Sequence, residues 1–278
     1  MERDRKRKLW KITAAVSAGI LVILAAVLLI RKYMPTGQKM SGYDYFKTDS
    51  AAENDSTLVI LDNEILYDKG RYIDGRLYLQ QSFVQDNVNM RFYYDKESNA
   101  VLYSDWSAVY TYYPDVKGYR DQNGNTYDTE YEVIKTADGV IYIDFEYMAA
   151  VSNISYEYAK EPQRLVLHTT HEEQNEVTIR KNTVVRYRAG IKSKVLEKVK
   201  KGTVCQYVGA VDDDWIEVIT PSGYQGYVKK NAASDVYTAV PEDTYTEEYQ
   251  SNLCGYKVNM TWFHVTQRAS NAYIDTYL

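Results

Sequence analysis

The fold of this chain is decided by the stretch Gly223-Tyr224-Gln225-Gly226-Tyr227-Val228, which follows the apolar run Trp215-Ile216-Glu217-Val218 after a short turn. Both stretches are rich in aromatic and β-branched residues, which favour strands, and glycine marks the turn between them. Upstream, residues 184–186, 195–202 and 204–208 continue the same pattern. Short strands separated by polar or glycine-bearing turns predict a small β-barrel over residues 177–231.

These residues resemble the bacterial SH3 domain, whose pattern contains a Lys-Gly turn, a Trp-x-x-Val strand and a Gly-Tyr-x-Gly-Tyr-Val strand. The resemblance implies a domain that binds cell-wall peptide or glycan through aromatic side chains on one face. By position, the candidate ligand-binding residues are Tyr187, Trp215 and Tyr227. The alternative is that Trp215 and Tyr227 belong to the barrel core, because so small a barrel needs large side chains to fill it.

Upstream of the barrel, residues 74–103 align without a gap onto residues 138–167. Apolar positions coincide along the alignment, and each segment predicts an Asp-Gly turn, a strand, a short amphipathic helix and two closing strands. We therefore predict a duplicated βαββ domain over residues 57–170, with the two copies packed together. The identical pairs are Asp74/Asp138, Gly75/Gly139, Tyr78/Tyr142, Asn89/Asn153, Tyr94/Tyr158, Lys96/Lys160 and Glu97/Glu161.

This duplication resembles the domain named after the N-terminus of copper amine oxidases, which is widespread in exported bacterial proteins. The name implies copper, but the residues do not. His168 and His171 lie close together in the sequence without the cysteine or third histidine that would complete a ligand set. We expect no metal and no cofactor. Cys205 lies in a strand pattern and Cys254 in a linker, so two independent thiols are favoured over a disulfide, which the space outside the cell would permit.

The N-terminus combines a basic cluster with an apolar run. Residues 1–11 are rich in Lys and Arg, and residues 12–30 are uncharged and about one bilayer core long. We predict a cytoplasmic tail, a transmembrane helix at 12–30 and an extracytoplasmic remainder. A cleaved signal peptide is the alternative, although its apolar region would be shorter and followed by small residues instead of Arg31-Lys32. The polar residues 31–56 predict a stalk linker.

Composition agrees with this organisation. The chain contains 29 tyrosines against 14 glycines and 5 prolines, which favours strands. Its net charge is −5, and many of its basic residues lie before residue 33, so the remainder is more acidic and does not suit a nucleic-acid partner. The predicted fold class is mainly β, with an N-terminal transmembrane helix, a duplicated βαββ domain, a small SH3-like β-barrel and a C-terminal fragment of a (β/α) barrel.

The C-terminal part follows an acidic linker at residues 232–254. Residues 256–266 have a strand pattern that resembles the opening strand of glycoside hydrolase family 18 barrels in exported Gram-positive proteins, although Phe263 stands where that family has His. The resemblance implies that residues 255–278 begin such a domain. We expect no enzymatic activity from this chain as given, and hydrolase activity only in a longer parent chain.

One motif imitates the catalytic sequence of that family. Asp144 and Glu146 reproduce the end of its Asp-x-x-Asp-x-Asp-x-Glu run, but Tyr142 replaces the middle Asp and the motif precedes the opening strand. In the internal alignment, the two carboxylates correspond to Gln80 and Ser82. We therefore expect no catalysis at Asp144 and Glu146.

These observations lead to two functional hypotheses. The first is a membrane-anchored, extracytoplasmic cell-envelope protein whose β modules bind peptidoglycan or a related wall glycan and position a family 18-like domain. Its partners are then the cytoplasmic membrane, through residues 12–30, and the wall polymer. The second is a non-enzymatic envelope scaffold that binds a protein partner.

Overall fold

The computed structural model describes residues 2–48, 55–105, 107–152, 154–169, 173–239, 248–251 and 258–261. It confirms the predicted mainly-β class with an N-terminal apolar helix and several sheets. The helix α1 (Glu2–Tyr33) is long and apolar enough, by length and composition, to cross a membrane. The other helices are α2 (Gly42–Phe46), α3 (Gln81–Phe83), which continues as a π-helical turn at Val84–Val88, and α4 (Phe145–Ala150).

The strands are short and follow one another closely, as the sequence pattern predicts. In chain order they are β1 (Ser56–Leu61), β2 (Glu64–Ile73), β3 (Arg76–Gln80), β4 (Phe92–Asp95), β5 (Ala100–Ser104), β6 (Val109–Tyr112), β7 (Lys117–Asp121), β8 (Thr126–Glu132), β9 (Ile134–Ala137), β10 (Val140–Asp144), β11 (Ser155–Ala159), β12 (Arg164–His168), β13 (Gln174–Thr178), β14 (Thr183–Arg186), β15 (Val195–Val199), β16 (Val204–Ala210), β17 (Trp215–Ile219), β18 (Gln225–Lys229), β19 (Tyr237–Ala239), β20 (Glu248–Ser251) and β21 (Val258–Thr261).

The region from residue 56 to 168 contains two sheets that share one hydrophobic core. The first has the strand order β11-β12-β1-β2-β3-β10-β9, and the second has the order β4-β5-β6-β7-β8. β1 runs parallel to β12, whereas the neighbouring pairs β1–β2 and β3–β10 are antiparallel. The core draws on both sheets and on the short helices, including Val59, Leu79, Phe92, Phe145 and Leu165.

The two aligned segments have their elements in the same order. Each starts at a two-residue hairpin turn whose Asp and Gly both have positive φ, 51° and 81° at Asp74 and Gly75 and 50° and 75° at Asp138 and Gly139. Such turns match the right-handed twist of the strands that they join. The aligned residues Leu79 and Ile143 then lie opposite each other across the β3–β10 pair, which gives this part of the sheet a local twofold symmetry.

Residues 174–239 form the second seven-stranded sheet, with the order β15-β14-β18-β17-β16-β13-β19. We call it the 174–239 sheet. It extends beyond the predicted limits of 177–231, because β13 and β19 pair with each other in register Glu176 to Tyr237. Ala232 and Ala233 are also buried. The first residues of the predicted linker therefore belong to this sheet.

The strands β1 and β12 have both faces buried. Val59 and Leu165 belong to the core of residues 56–168, whereas Ile60 and Val166 belong to a second core that they share with the 174–239 sheet. Adjacent residues of a strand point to opposite faces, so a strand covered on both sides must be apolar throughout. This explains the apolar runs at residues 58–61 of β1 and 165–167 of β12, and the shared core joins the two regions into one packed unit.

Much of the predicted stalk is packed structure instead of linker. Met40 N donates to Val195 O and Val195 N donates to Gln38 O, each at 2.8 Å, so Lys39 forms a single parallel bridge with Val195 of β15. α2 follows, with the hydroxyl of Ser41 accepting from its first turn. Phe46 of α2 lies in the core shared by the two regions. A five-residue helix is too short to show apolar periodicity, so the sequence pattern missed it.

At the C-terminal end, β20 and β21 pair antiparallel as a separate two-stranded sheet. Residues 252–257 and 262–278 lie outside the described residues. The family 18-like start at residues 255–278 falls mostly there and stays a prediction.

Candidate functional site

Two of the three candidate ligand-binding residues lie on neighbouring strands of the 174–239 sheet, Trp215 on β17 and Tyr227 on β18, and Tyr187 follows the end of β14. Trp215 lies opposite Lys229, and Glu217 lies opposite Tyr227, across the β17–β18 pair. Their neighbours Ile216, Val218 and Val228 belong to the core. Because side chains alternate along strands, Trp215 and Tyr227 share the opposite sheet face. Tyr187 follows directly after Arg186, which pairs with Tyr227.

The three aromatic residues differ in exposure. Tyr187 is 43% exposed, whereas Trp215 is only 7% exposed, and Tyr227 is half-buried. The Lys229 ammonium lies 5.8 Å from the centre of the Trp215 ring. Trp215 is thus covered on the outer face of the sheet and belongs to neither hydrophobic core. Tyr187 and Tyr227 are the members of the set that a ligand could touch without rearrangement.

A fourth aromatic residue, Tyr45 of α2, lies beside Tyr187 and also packs against the core shared by the two regions. Its ring lies 6.4 Å from that of Tyr187 in an edge-to-face arrangement, and 5.0 Å from that of Tyr224. Its hydroxyl donates to Gln225 O at 2.9 Å and accepts from Gln225 N at 3.0 Å. We call Tyr45, Tyr187 and Tyr227 together the aromatic face.

Sequence reasoning missed Tyr45 because residues 31–56 were predicted to be a stalk. A local signal was present, since Ser41 followed by Tyr43, Tyr45 and Phe46 combines a helix-capping residue with three aromatic side chains. Three aromatic residues in a short segment are costly to leave in water, so they indicate a partner surface.

Charged groups surround the aromatic face. Gln225 Nε2 donates to Glu217 Oε1 at 3.0 Å, and the Arg188 guanidinium lies 5.7 Å from the centre of the Tyr187 ring. Burial raises the pKa of Tyr45, and the pKa of Tyr227 is raised by burial and by the nearby Glu217 carboxylate. These hydroxyls therefore stay protonated at neutral pH, and that of Tyr45 already donates to Gln225 O. The aromatic face, with one carboxylate and one guanidinium beside it, therefore suits the binding of a ligand.

Asp144 and Glu146, the motif that imitates a catalytic pair, are both engaged by Arg76. The guanidinium donates to the two oxygens of Asp144 at 2.7 and 3.0 Å and to Glu146 Oε2 at 2.9 Å. Asp144 is fully buried and its carboxylate also caps α4 by accepting from Tyr147 N at 2.9 Å. The Arg76 guanidinium stacks on the Tyr131 ring at 3.6 Å. Both carboxylates thus have structural partners.

The candidate metal and thiol residues are only partly described. His168 Nδ1 lies 4.0 Å from Asp62 Oδ1, and burial lowers the pKa of His168. His171 and Cys254 lie outside the described residues. Among the residues that the structure describes, no three His, Cys, Asp or Glu side chains cluster as a metal site. Cys205 is buried in β16, and burial raises the pKa of its thiol to about 12. The independence of the two thiols stays a prediction.

Comparison with known proteins identifies one part of the chain. The search of the curated proteins and the search of the solved structures each found no match. Residues 180–235 match the family model described as Bacterial SH3 domain, a span that contains Tyr187, Trp215 and Tyr227. This confirms the SH3 domain predicted from the sequence: the strands β14 to β18 of this chain belong to a bacterial SH3 domain.

Proposed function

We propose that this chain is a membrane-anchored, extracytoplasmic envelope protein whose SH3 domain binds peptidoglycan or a related wall polymer through the aromatic face. The observation that carries the proposal is the exposed Tyr187 within residues matched as a bacterial SH3 domain. The aromatic rings can lie against the apolar side of a sugar ring or a peptide side chain. Glu217 and Arg188 beside them can hydrogen-bond the polar groups of either polymer.

Sedimentation with purified peptidoglycan tests this proposal directly. The full chain in detergent should sediment with the wall material, and Tyr187→Ala should weaken that binding about fivefold, because it removes an exposed aromatic contact. A matched control is Tyr93→Ala, since Tyr93 is also exposed, at 55%, but lies in β4. Full binding by Tyr187→Ala with a native circular dichroism spectrum would reject the aromatic face.

Trp215→Ala tests whether an aromatic residue contributes to wall binding by stabilising the domain or by contacting the ligand. Trp215 is buried, so its loss should lower the melting temperature and reduce binding together. Tyr187→Ala should reduce binding at an unchanged melting temperature. A folded chain with no affinity for wall material would favour the scaffold hypothesis over wall binding.

The membrane anchor is the second part of the proposal. α1 exposes its apolar side chains from residue 16 to 33 and has basic residues on both sides. Apolar side chains exposed around a whole helix favour a lipid environment. An alkaline phosphatase fused after Ala239 should be active in cells, because this enzyme requires export. An inactive fusion at normal expression would contradict the extracytoplasmic placement.

Two finer features complete the proposal. Residues 57–170 are a duplicated βαββ domain, supported by the shared element order and by the pairing of Leu79 with Ile143. Residues 255–278 begin a family 18-like domain, supported by the strand pattern of residues 256–266. The chain as given should release no reducing sugar from chitin, and measurable release would contradict the expectation that this chain has no enzymatic activity.

A further inference from the structure

The end of α1 is hydrogen-bonded to the loop between β14 and β15, residues 187–194. The Lys192 ammonium donates to Met34 O, just past the end of the helix, at 2.7 Å. Two residues further on, Thr36 N donates to Ile191 O at 2.8 Å. The loop therefore lies directly where the apolar helix ends.

Two exposed aromatic side chains bracket the apolar part of α1. Trp10 is 74% exposed and Tyr33 is 64% exposed. They are separated by roughly 35 Å along the helix at 1.5 Å per residue, which lies between the thickness of the hydrocarbon core of a bilayer and that of the whole bilayer. Trp and Tyr are enriched where a membrane meets water. With α1 in a membrane, the loop at residues 187–194 thus lies near the lipid headgroups.

The two segments that meet here contain basic residues and no acidic ones. No Asp or Glu occurs from residue 5 to 43 or from residue 177 to 196, although acidic residues outnumber Lys and Arg in the whole chain, 38 to 33. The bridge between Lys39 and Val195 brings the first segment beside Lys194. Five basic residues are exposed here, and none forms an ion pair with a carboxylate of the described residues. We call them the basic patch: Arg31, Lys32, Lys39, Lys192 and Lys194.

We propose that the basic patch binds the headgroups of anionic phospholipids and thereby orients the SH3 domain on the membrane surface. This inference rests on the membrane anchor proposed above, but not on wall binding. A basic side chain near an anionic lipid surface strengthens the attraction about fivefold, and the attraction falls off over about 10 Å at 0.1 M salt. The hydrogen bond from Lys192 to Met34 O keeps the patch within that range. Lipid is favoured over a soluble phosphate polymer because the patch adjoins Tyr33 and Met34, whose largely apolar side chains are both exposed.

Electron spin resonance on the full chain in phosphatidylcholine vesicles tests the proposal. The probes are spin-labelled phosphatidylglycerol and spin-labelled phosphatidylcholine, and the fraction of each that the protein immobilises gives its preference for the anionic headgroup. The triple variant Lys39→Gln/Lys192→Gln/Lys194→Gln should lower that preference about threefold at low salt, and 1 M salt should remove most of the difference from the parent. Lys39→Gln/Lys194→Gln leaves the Lys192 hydrogen bond intact and should lower the preference by a smaller factor, about twofold.

The matched control is Lys181→Gln/Lys200→Gln/Lys201→Gln. These three lysines are also exposed, but they lie at the opposite end of the β14–β15 hairpin, about 15 Å away along β15. The control removes the same charge and should leave the lipid preference unchanged.

The outcomes separate this inference from the membrane anchor. Equal losses in the triple variant and its control, or immobilised lipid without a preference in the parent, would overturn the proposal. Binding of polyphosphate by a parent that shows no lipid preference would assign the basic patch to a phosphate polymer instead. Absence of immobilised lipid of either kind would reject the anchor and this inference with it.

Discussion

The segments 74–103 and 138–167 fold through the same succession of turn, strand, helix and two strands, yet they join the rest of the molecule differently. The closing strands of the first, β4 and β5, continue into the five-stranded sheet. Those of the second, β11 and β12, belong to the seven-stranded sheet, in which β12 pairs with β1 and packs against the SH3 domain. The residues that match between the two segments determine the order of turn, strands and helix. The residues that differ between them determine which other parts of the molecule each segment contacts. Gln80 and Asp144, at equivalent positions, show this most clearly.

Asp144→Ala should have the largest effect on this comparison. It removes a fully buried carboxylate that binds Arg76 and caps α4, so we expect a loss of about 3 kcal/mol in the free energy of unfolding. Gln80→Ala, the matched change in the first segment, should cost below about 1 kcal/mol, because Gln80 makes one exposed hydrogen bond to Asp68 O. Urea unfolding measures both, and equal losses would contradict the difference between the segments.

Val166→Ala should have the next largest effect. Val166 is 1% exposed and packs in the core shared with the SH3 domain, so we expect a loss of about 2 kcal/mol. Leu102 is the equivalent residue of β5 and is partly exposed. Leu102→Ala should therefore cost less, although it removes a larger side chain. A greater loss for Leu102→Ala in the same unfolding experiment would mean that the shared core contributes little.

The smallest expected effect is a dependence on pH at the end of β12. Burial lowers the pKa of His168, so the unfolded chain binds this proton more tightly than the folded chain does. Stability should then fall as the pH drops below about 6.5, the pKa of an unperturbed histidine, and be unaffected above it. His168→Ser introduces the residue found at the equivalent position just after the first segment, Ser104, and should reduce that fall. The melting temperatures of the parent and of His168→Ser should be compared from pH 7 to pH 5. An equal fall in both proteins would mean that His168 is not responsible.

The sequence predicted the features that depend on neighbouring residues. The Asp-Gly pairs at residues 74 and 138 fold as two-residue turns, and the stretch from Gly223 to Val228 lies in a confirmed SH3 domain. These succeed because turn geometry and strand alternation are local properties. The same reasoning placed Trp215 and Tyr227 on adjacent strands, but it left open whether Trp215 is covered, since that depends on side chains distant in sequence.

The contacts between the two regions could not be predicted in the same way. Phe46, Ile60 and Tyr224 come from three distant parts of the chain and meet in one core. The apolar run at residues 58–61 of β1 is typical of a strand covered on both faces, but such a run does not identify the covering surface. Tyr45 was missed for the same reason, because its place beside Tyr187 follows from the docking of α2.

The pairing of Lys39 with Val195 also sets the length of the tether between α1 and the SH3 domain. A free linker over residues 34–55 could extend about 70 Å at roughly 3.3 Å per residue. Since the pairing begins within a few residues of Tyr33, the unpaired part of the linker can extend only about 20 Å. Lys192 further holds the end of the helix by donating to Met34 O at 2.7 Å. With α1 in a membrane, the SH3 domain would reach only the layer of polymer nearest the lipid surface.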